Sequence, residues 1–162
     1  MKRTFYTLLL SLLCSGLSTL SSYAQVSAKP ISTPMPGVSF AWKDGQLMEP
    51  AELNLIIKSR NPKPVILNIG AVEDIPGATH IGAVSTSENM ERLEKLVAAF
   101  PKNTELVIYC GCCPFSKCPN VKPAFLKLEN IGFTHIKVLD LPVNLKTNWI
   151  AKGYPLAKLN KQ

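Results

Sequence analysis

The stretch Leu106-Val107-Ile108-Tyr109-Cys110-Gly111-Cys112-Cys113-Pro114-Phe115-Ser116-Lys117-Cys118-Pro119-Asn120 decides the fold and holds most of the chemistry. Its first four residues are apolar and β-rich, the pattern of a strand buried on both faces. Beyond it, Val121, Ala124, Phe125, Leu128 and Ile131 recur at helical spacing until Gly132, which predicts a helix starting near Pro119 and stopped by that glycine. The four cysteines therefore lie on a loop between the C-terminal end of a strand and the N-terminal end of a helix. Open α/β sheets bind ligands there, and the free N–H groups of a helix start favour anions, thiolates included.

Working outward, Val65–Ile69 and Ile136–Leu139 are further runs of strand length, and Gln46 to Met48 reads as a short extended piece. Pro50 suits a first helical turn, with Leu53, Ile56 and Ile57 as the apolar face ending near Arg60. Ser85 and Glu88 have capping-box spacing ahead of Met90, Leu93, Val97 and Phe100. Asn144 is placed to cap a last helix holding Leu145, Trp149 and Ile150, stopped by Gly153 and Pro155. Gly70 to Val84 reads as irregular. Strands alternate with helices, so the fold class is α/β: a mainly parallel sheet with helices on both faces, in three layers.

The chain has 162 residues, enough for one domain. Lys2 and Arg3 precede an apolar run from Leu8 to Leu20, and Ser22-Tyr23-Ala24 fits a small-x-small cleavage site. Residues 1–24 are expected to be an export signal, residues 25–45 a linker or N-terminal arm, with Val38 to Trp42 as a short strand, and residues 46–158 the domain. The apolar run is short and broken by serines, so no membrane insertion is expected after processing. Cys14 leaves with the signal. Export implies a periplasmic or secreted protein in an oxidising compartment. The formal charge of +7 falls to +5 without Lys2 and Arg3, and the remaining cations are scattered; no nucleic-acid partner is expected.

Several segments together resemble the rhodanese-like family of sulfur-transferring proteins. Val65–Ile69 stands where that family has its second strand, Ile75-Pro76-Gly77-Ala78 is similar to its Ile-Pro-Gly-Ala turn, and Val107 to Cys110 matches a strand ending in the active cysteine. Gly132-Phe133 matches the turn after the next helix, and Trp149 to Leu156 is similar to its Trp-x-x-x-Gly-x-Pro signature. The likeness spans Met48 to Leu156. It implies a rhodanese-like three-layer fold and a sulfurtransferase or thiol redox protein in which Cys110 is catalytic through a transient persulfide. No other cofactor is expected, and no metal ligand is assigned in this reading. The implied partners are a small sulfur-containing anion or thiol substrate and a protein thiol acceptor. The departures are Asn68 and Gly70, where the family carries an acid and an arginine, Glu73-Asp74 in place of Gly-His, and 22 positions from Cys110 to Gly132, longer than the family's loop.

Cys112, Cys113 and Cys118 are read as resolving or accessory thiols, and Gly111, Pro114, Phe115, Ser116 and Lys117 as the substrate-binding loop. A Cys112–Cys113 bond is strained and Cys110–Cys112 spans few residues, whereas Cys110–Cys118 or Cys113–Cys118 closes a workable loop. Cys118, nearest the helix start, is the second choice for nucleophile. Two rival readings stand beside sulfur transfer: a soft-metal thiolate site for copper or zinc, and a scaffold domain whose loop is braced by a disulfide. Lys117 reads as a solvated charge, His80 and His135 as structural, Trp42 and Trp149 as packing residues. Phe115 either walls the pocket or anchors the loop.

Overall fold

The computed structural model describes residues 41–59 and 62–158. The expected signal, most of the arm, and Val38 to Phe40 of the expected strand lie outside the described residues; Ala41 and Trp42 have no regular structure. The elements run β1 (Leu47–Met48), α1 (Pro50–Lys58), β2 (Val65–Asn68), β3 (Ala78–His80), α2 (Ser87–Val97), β4 (Leu106–Tyr109), α3 (Val121–Asn130), β5 (Ile136–Leu139) and α4 (Leu145–Asn148). Short 3-10 turns occupy Phe115–Lys117 and Ile150–Lys152.

The strands form one sheet in the order β1-β5-β4-β2-β3. Every pairing is parallel. The α/β class and the helices on both faces expected from the sequence are thus present. All four residues of β4 are buried, as a central parallel strand requires. Alternation divides them. Leu106, Ile108 and Cys110 enter a core built with α2 and α3, whereas Val107 and Tyr109 enter a second core with α1 and α4.

Each helix follows from its sequence. Pro50 opens α1, where its missing N–H has no intrahelical partner to lose. Asn144 caps α4 by accepting from the Thr147 N–H at 2.8 Å. The chain then turns at Gly153 with φ 74°, a conformation that favours glycine. Four expectations need correction. The cap of α2 is Thr86 rather than Ser85, because the Ser85 N–H is drawn away to the Asn120 Oδ1 at 2.8 Å. The segment 70–84 is not wholly irregular: it contains β3, an edge strand held to β2 by backbone pairing although Thr79 and His80 are exposed. Helix α3 begins at Val121, two residues past Pro119, and α4 ends at Asn148, so Ile150 falls in the 3-10 turn.

The connections after β2 and β4 leave in opposite directions, one outward to β3 and the other through α3 to β5. Adjacent parallel strands whose connections diverge leave a crevice at their C-terminal ends. Cys110 and Gly70 sit at that point.

Candidate thiolate site

Cys110 is the first residue past β4 and is 2% exposed. Gly70, at the exit of β2, lies directly against it: a Cβ on Gly70 would collide with the Cys110 carbonyl oxygen and stand 2.7 Å from its Sγ. This close approach accounts for glycine where the resembled family has an arginine. Gly111 adopts φ 72°, and its carbonyl accepts from the Leu145 N–H at 2.8 Å, which ties the loop to the start of α4. The turn swings Cys112 back over Cys110, so that their sulfurs are 3.2 Å apart. Two cysteines with only Gly111 between them thus come closer than their short spacing suggested. The Cys112 and Cys113 sulfurs are 3.5 Å apart.

The 3-10 turn then returns the chain to the sheet. Phe115 packs on the α2/α3 core with Trp42, ring centroids 6.1 Å apart, and Trp42 meets Phe125 edge-on at 5.1 Å. Phe115 is therefore a loop anchor, and Trp42, expected in the arm, is part of the same packing. Cys118 follows, 6% exposed, immediately before α3. The sulfurs of Cys110, Cys112 and Cys118 all lie within 4.8 Å of one another. The loop thus gathers the cysteines, which are unbridged; Cys112 is exposed, Cys113 intermediate, and Cys110 and Cys118 buried. Ser116 and Lys117 point to solvent, whereas Pro114 is partly buried.

The thiols differ sharply in acidity. The Cys118 thiol is lowered to about 5, first because the Cys110 S–H donates to its sulfur and then because the Asn120 and Val121 backbone N–H groups at the start of α3 face it; burial opposes them. Cys110 is held well above the ordinary thiol range by the same contact with Cys118 and by burial. Cys113 is pushed up to about 12, by burial first and then by its thiol neighbours. The pKa is thus lowered at Cys118 and raised at Cys110. The physical reason is that the strand end is dry and crowded by sulfur, while the helix amides begin only after the loop has closed.

Asn120 was not singled out in the sequence. It is 4% exposed and occupies the N-cap position of α3 without capping it. Its Nδ2 donates to the Cys110 Sγ at 3.2 Å and its Oδ1 takes the Ser85 N–H. The Asn120 amide thus donates to Cys110, whose sulfur in turn stands within 4.8 Å of Cys118. The only local signal was an asparagine immediately before a helical pattern.

His80 and Asp74 lie elsewhere. The His80 Nδ1 and Asp74 Oδ1 are 2.9 Å apart, with the Asn68 Nδ2 at 2.8 Å from the same oxygen and 2.8 Å from the Val72 carbonyl. The Asn68 Oδ1 accepts from the Gly70 N–H at 3.0 Å. Asn68, in place of an acid, braces the β2–β3 loop on the face opposite the Cys110 side chain, consistent with a structural His80. The Tyr109 hydroxyl, raised in pKa by burial, donates to the Glu73 carbonyl and accepts from the Ile75 N–H, fixing the same loop. His135 is exposed beside Thr134, and Trp149 is buried with its Nε1 donating to the Pro155 carbonyl at 2.7 Å. Among the described residues no helix is long and apolar enough to cross a membrane. A cavity of about 680 Å³ lies at the other end of the sheet between Lys43–Gln46 and Phe133–Lys137, away from the cysteines.

No family model matches the chain, and no curated protein matches it. Among solved structures, the crystal structure of the Alr3790 protein from Anabaena sp. is similar, with a TM-score of 0.52 and 17% sequence identity over 70% of this chain and 93% of that chain. At that identity the likeness bears on the fold alone.

Proposed function

We propose that this chain is a sulfur-transferring protein of rhodanese type that works through a cysteine persulfide on the Cys110–Cys118 pair. The observation that carries the reading is the gathering of the Cys110, Cys112 and Cys118 sulfurs within 4.8 Å of one another where β4 ends and α3 begins; the Cys118 pKa is lowered there by the Cys110 S–H and by two backbone N–H groups at the start of α3. A lowered pKa on a buried residue supports the two requirements of a sulfur nucleophile, thiolate character and a fixed position. Cys118 attacks the outer sulfur of a sulfane donor such as thiosulfate. A new S–S bond forms to the Cys118 Sγ, and the donor's bond to that sulfur breaks, its electron pair leaving with sulfite. An acceptor thiolate or cyanide then attacks the outer sulfur, and Cys118 departs again as a thiolate. A small sulfur-containing anion suits the helix start, and the exposed Cys112, 3.2 Å from Cys110, lies on the side from which a protein thiol would approach. In the absence of an acceptor, the Cys110 sulfur attacks the inner sulfur of the Cys118 persulfide and expels hydrosulfide. This leaves a Cys110–Cys118 disulfide that an external thiol must reduce. Export of the mature chain, with Met1 to Ala24 removed, belongs to the same proposal and is checked by its mass.

The test is treatment of the reduced protein with thiosulfate, alkylation, and mass mapping of the added sulfur, alongside cyanide turnover. Added sulfur on Cys118, lost with activity in Cys118→Ser, is the expected result. Sulfur on Cys110 would return the nucleophile to the strand end, and sulfur on neither would overturn the reading.

A further inference from the structure

We propose that Cys110, Cys112 and Cys118, brought together by the turn at Gly111 and the return of the loop to α3, form a trigonal binding site for copper(I). This inference does not rest on the sulfur-transfer reading; it stands on the geometry and kind of the donor atoms.

The first point is distance. An ion held at about 2.3 Å from each of three sulfurs in one plane separates those sulfurs by about 4 Å. Here the three Sγ atoms already lie within 4.8 Å of one another, with the Cys110–Cys112 pair at 3.2 Å. Small side-chain rotations open that pair to the required spacing. Two of the three are buried and Cys110 is fixed by the Asn120 amide, so the site is largely pre-formed, and the exposed Cys112 offers the way in.

The second point is chemistry. The set is all sulfur; the imidazole–carboxylate pair of His80 and Asp74 is not part of it. Soft thiolate ligands select copper(I) or zinc. Zinc in a structural site takes four ligands in a tetrahedron. The group that shares one centre has three members, and Cys113, next in the chain to Cys112, is not among them. Three sulfurs suit the lower coordination of copper(I). Binding is not a redox step: copper(I) enters and leaves in the same oxidation state, S–Cu bonds form, and each ligating sulfur that still carries a proton releases it to solvent. The negative charge left on the sulfurs lies at the start of α3, whose N–H groups favour it.

The test uses the full chain, reduced, freed of metal and kept anaerobic, titrated with copper(I) against a chromogenic copper(I) chelator. The expected result is one copper per chain withdrawn from the chelator, with three sulfur scatterers in the X-ray absorption spectrum. Cys112→Ser, at an exposed position, should leave thermal unfolding of the copper-free protein unchanged while weakening binding by more than the about 10- to 100-fold that a lost outer-shell partner costs. Cys113→Ser should leave copper affinity unchanged. Failure to compete with the chelator, equal affinity in Cys112→Ser, or tighter binding of zinc that depends on Cys113 would each overturn the proposal. Thiosulfate turnover by the metal-free protein is measured separately, so failure of one reading does not decide the other.

Discussion

Replacing Cys110 by alanine should raise the pKa of Cys118. The Cys118 thiol stands at about 5, against about 8.5 for an ordinary thiol, a difference worth on the order of 5 kcal/mol between thiolate and thiol. The largest cause is the Cys110 S–H donated to its sulfur. A hydrogen bond to a charged group contributes about 1.5–3 kcal/mol, so its loss should move the titration up by about one to two pH units. Cys110→Ser keeps a hydroxyl donor and should move it less. The sign for stability follows from linkage. A thiol with a folded pKa below its unfolded one adds stability that is complete above the unfolded pKa. That stability is lost as pH falls toward the folded pKa. The parent should therefore gain stability from about pH 5 to about pH 8.5, and Cys110→Ala should show a narrower, shallower rise. Thiolate absorbance against pH measures the first effect, and denaturant unfolding across the same range the second. Both proteins should carry Cys112→Ser and Cys113→Ser so that fewer thiols absorb. An unchanged midpoint in Cys110→Ala, or a parent in which no thiol ionises below neutrality, would refute the reasoning.

Three further outcomes are expected. Gly70→Ala places a methyl group 2.7 Å from the Cys110 Sγ; overpacking of this kind costs about 1–3 kcal/mol, read as a lower thermal midpoint together with a displaced thiolate titration. Asn144→Ala removes the cap of α4 and should lower the unfolding free energy by about 0.5–2 kcal/mol in denaturant. The Asp140 carboxyl is raised by burial, and its Oδ1 is buried without a hydrogen-bond partner. Its charged form therefore opposes folding, and stability drains away as pH rises through its titration; Asp140→Asn should stabilise the protein at neutral pH and leave it unchanged in acid, as thermal unfolding at the two conditions will show.

The elements that were legible are those whose residues carry their own reasons. Leu106 to Tyr109 is apolar at every position because both its faces are covered, and the Asn144 and Gly153 signals act within a few residues of themselves. The three residues of β3 gave no such pattern. Ala78, Thr79 and His80 are held by backbone bonds to β2, a partner ten and more positions away, and pack little apolar surface. The shift of the α2 cap from Ser85 to Thr86 has the same origin, since the competing acceptor, the Asn120 side chain, lies 35 positions away. The candidate site divides along this line. That the cysteines would share a strand-to-helix loop was evident from their position. Which one would be ionised was not, because it depends on how the 3-10 turn at Phe115–Lys117 folds Cys118 back against Cys110 and the amides of α3.

One helix start can serve only a limited number of charges, and here it faces crowded sulfurs. The N–H groups of Asn120 and Val121 reach Cys118 alone. Once that sulfur is ionised, Cys110 and Cys113 would have to ionise beside an existing negative charge, and burial penalises that charge. Cys110 and Cys113 accordingly keep their protons, and Cys110 spends its proton on the thiolate. In the proposed sulfur transfer, a donor would meet Cys118 with a second sulfur in reach to resolve it. A soft cation removes the obstacle to further ionisation, because its positive charge replaces the protons that kept the other sulfurs neutral. Both proposed chemistries rest on the same placement of Cys118 at a helix start and Cys110 at a strand end. They part at Cys112, which a copper centre needs as a ligand and which persulfide formation on Cys118 does not.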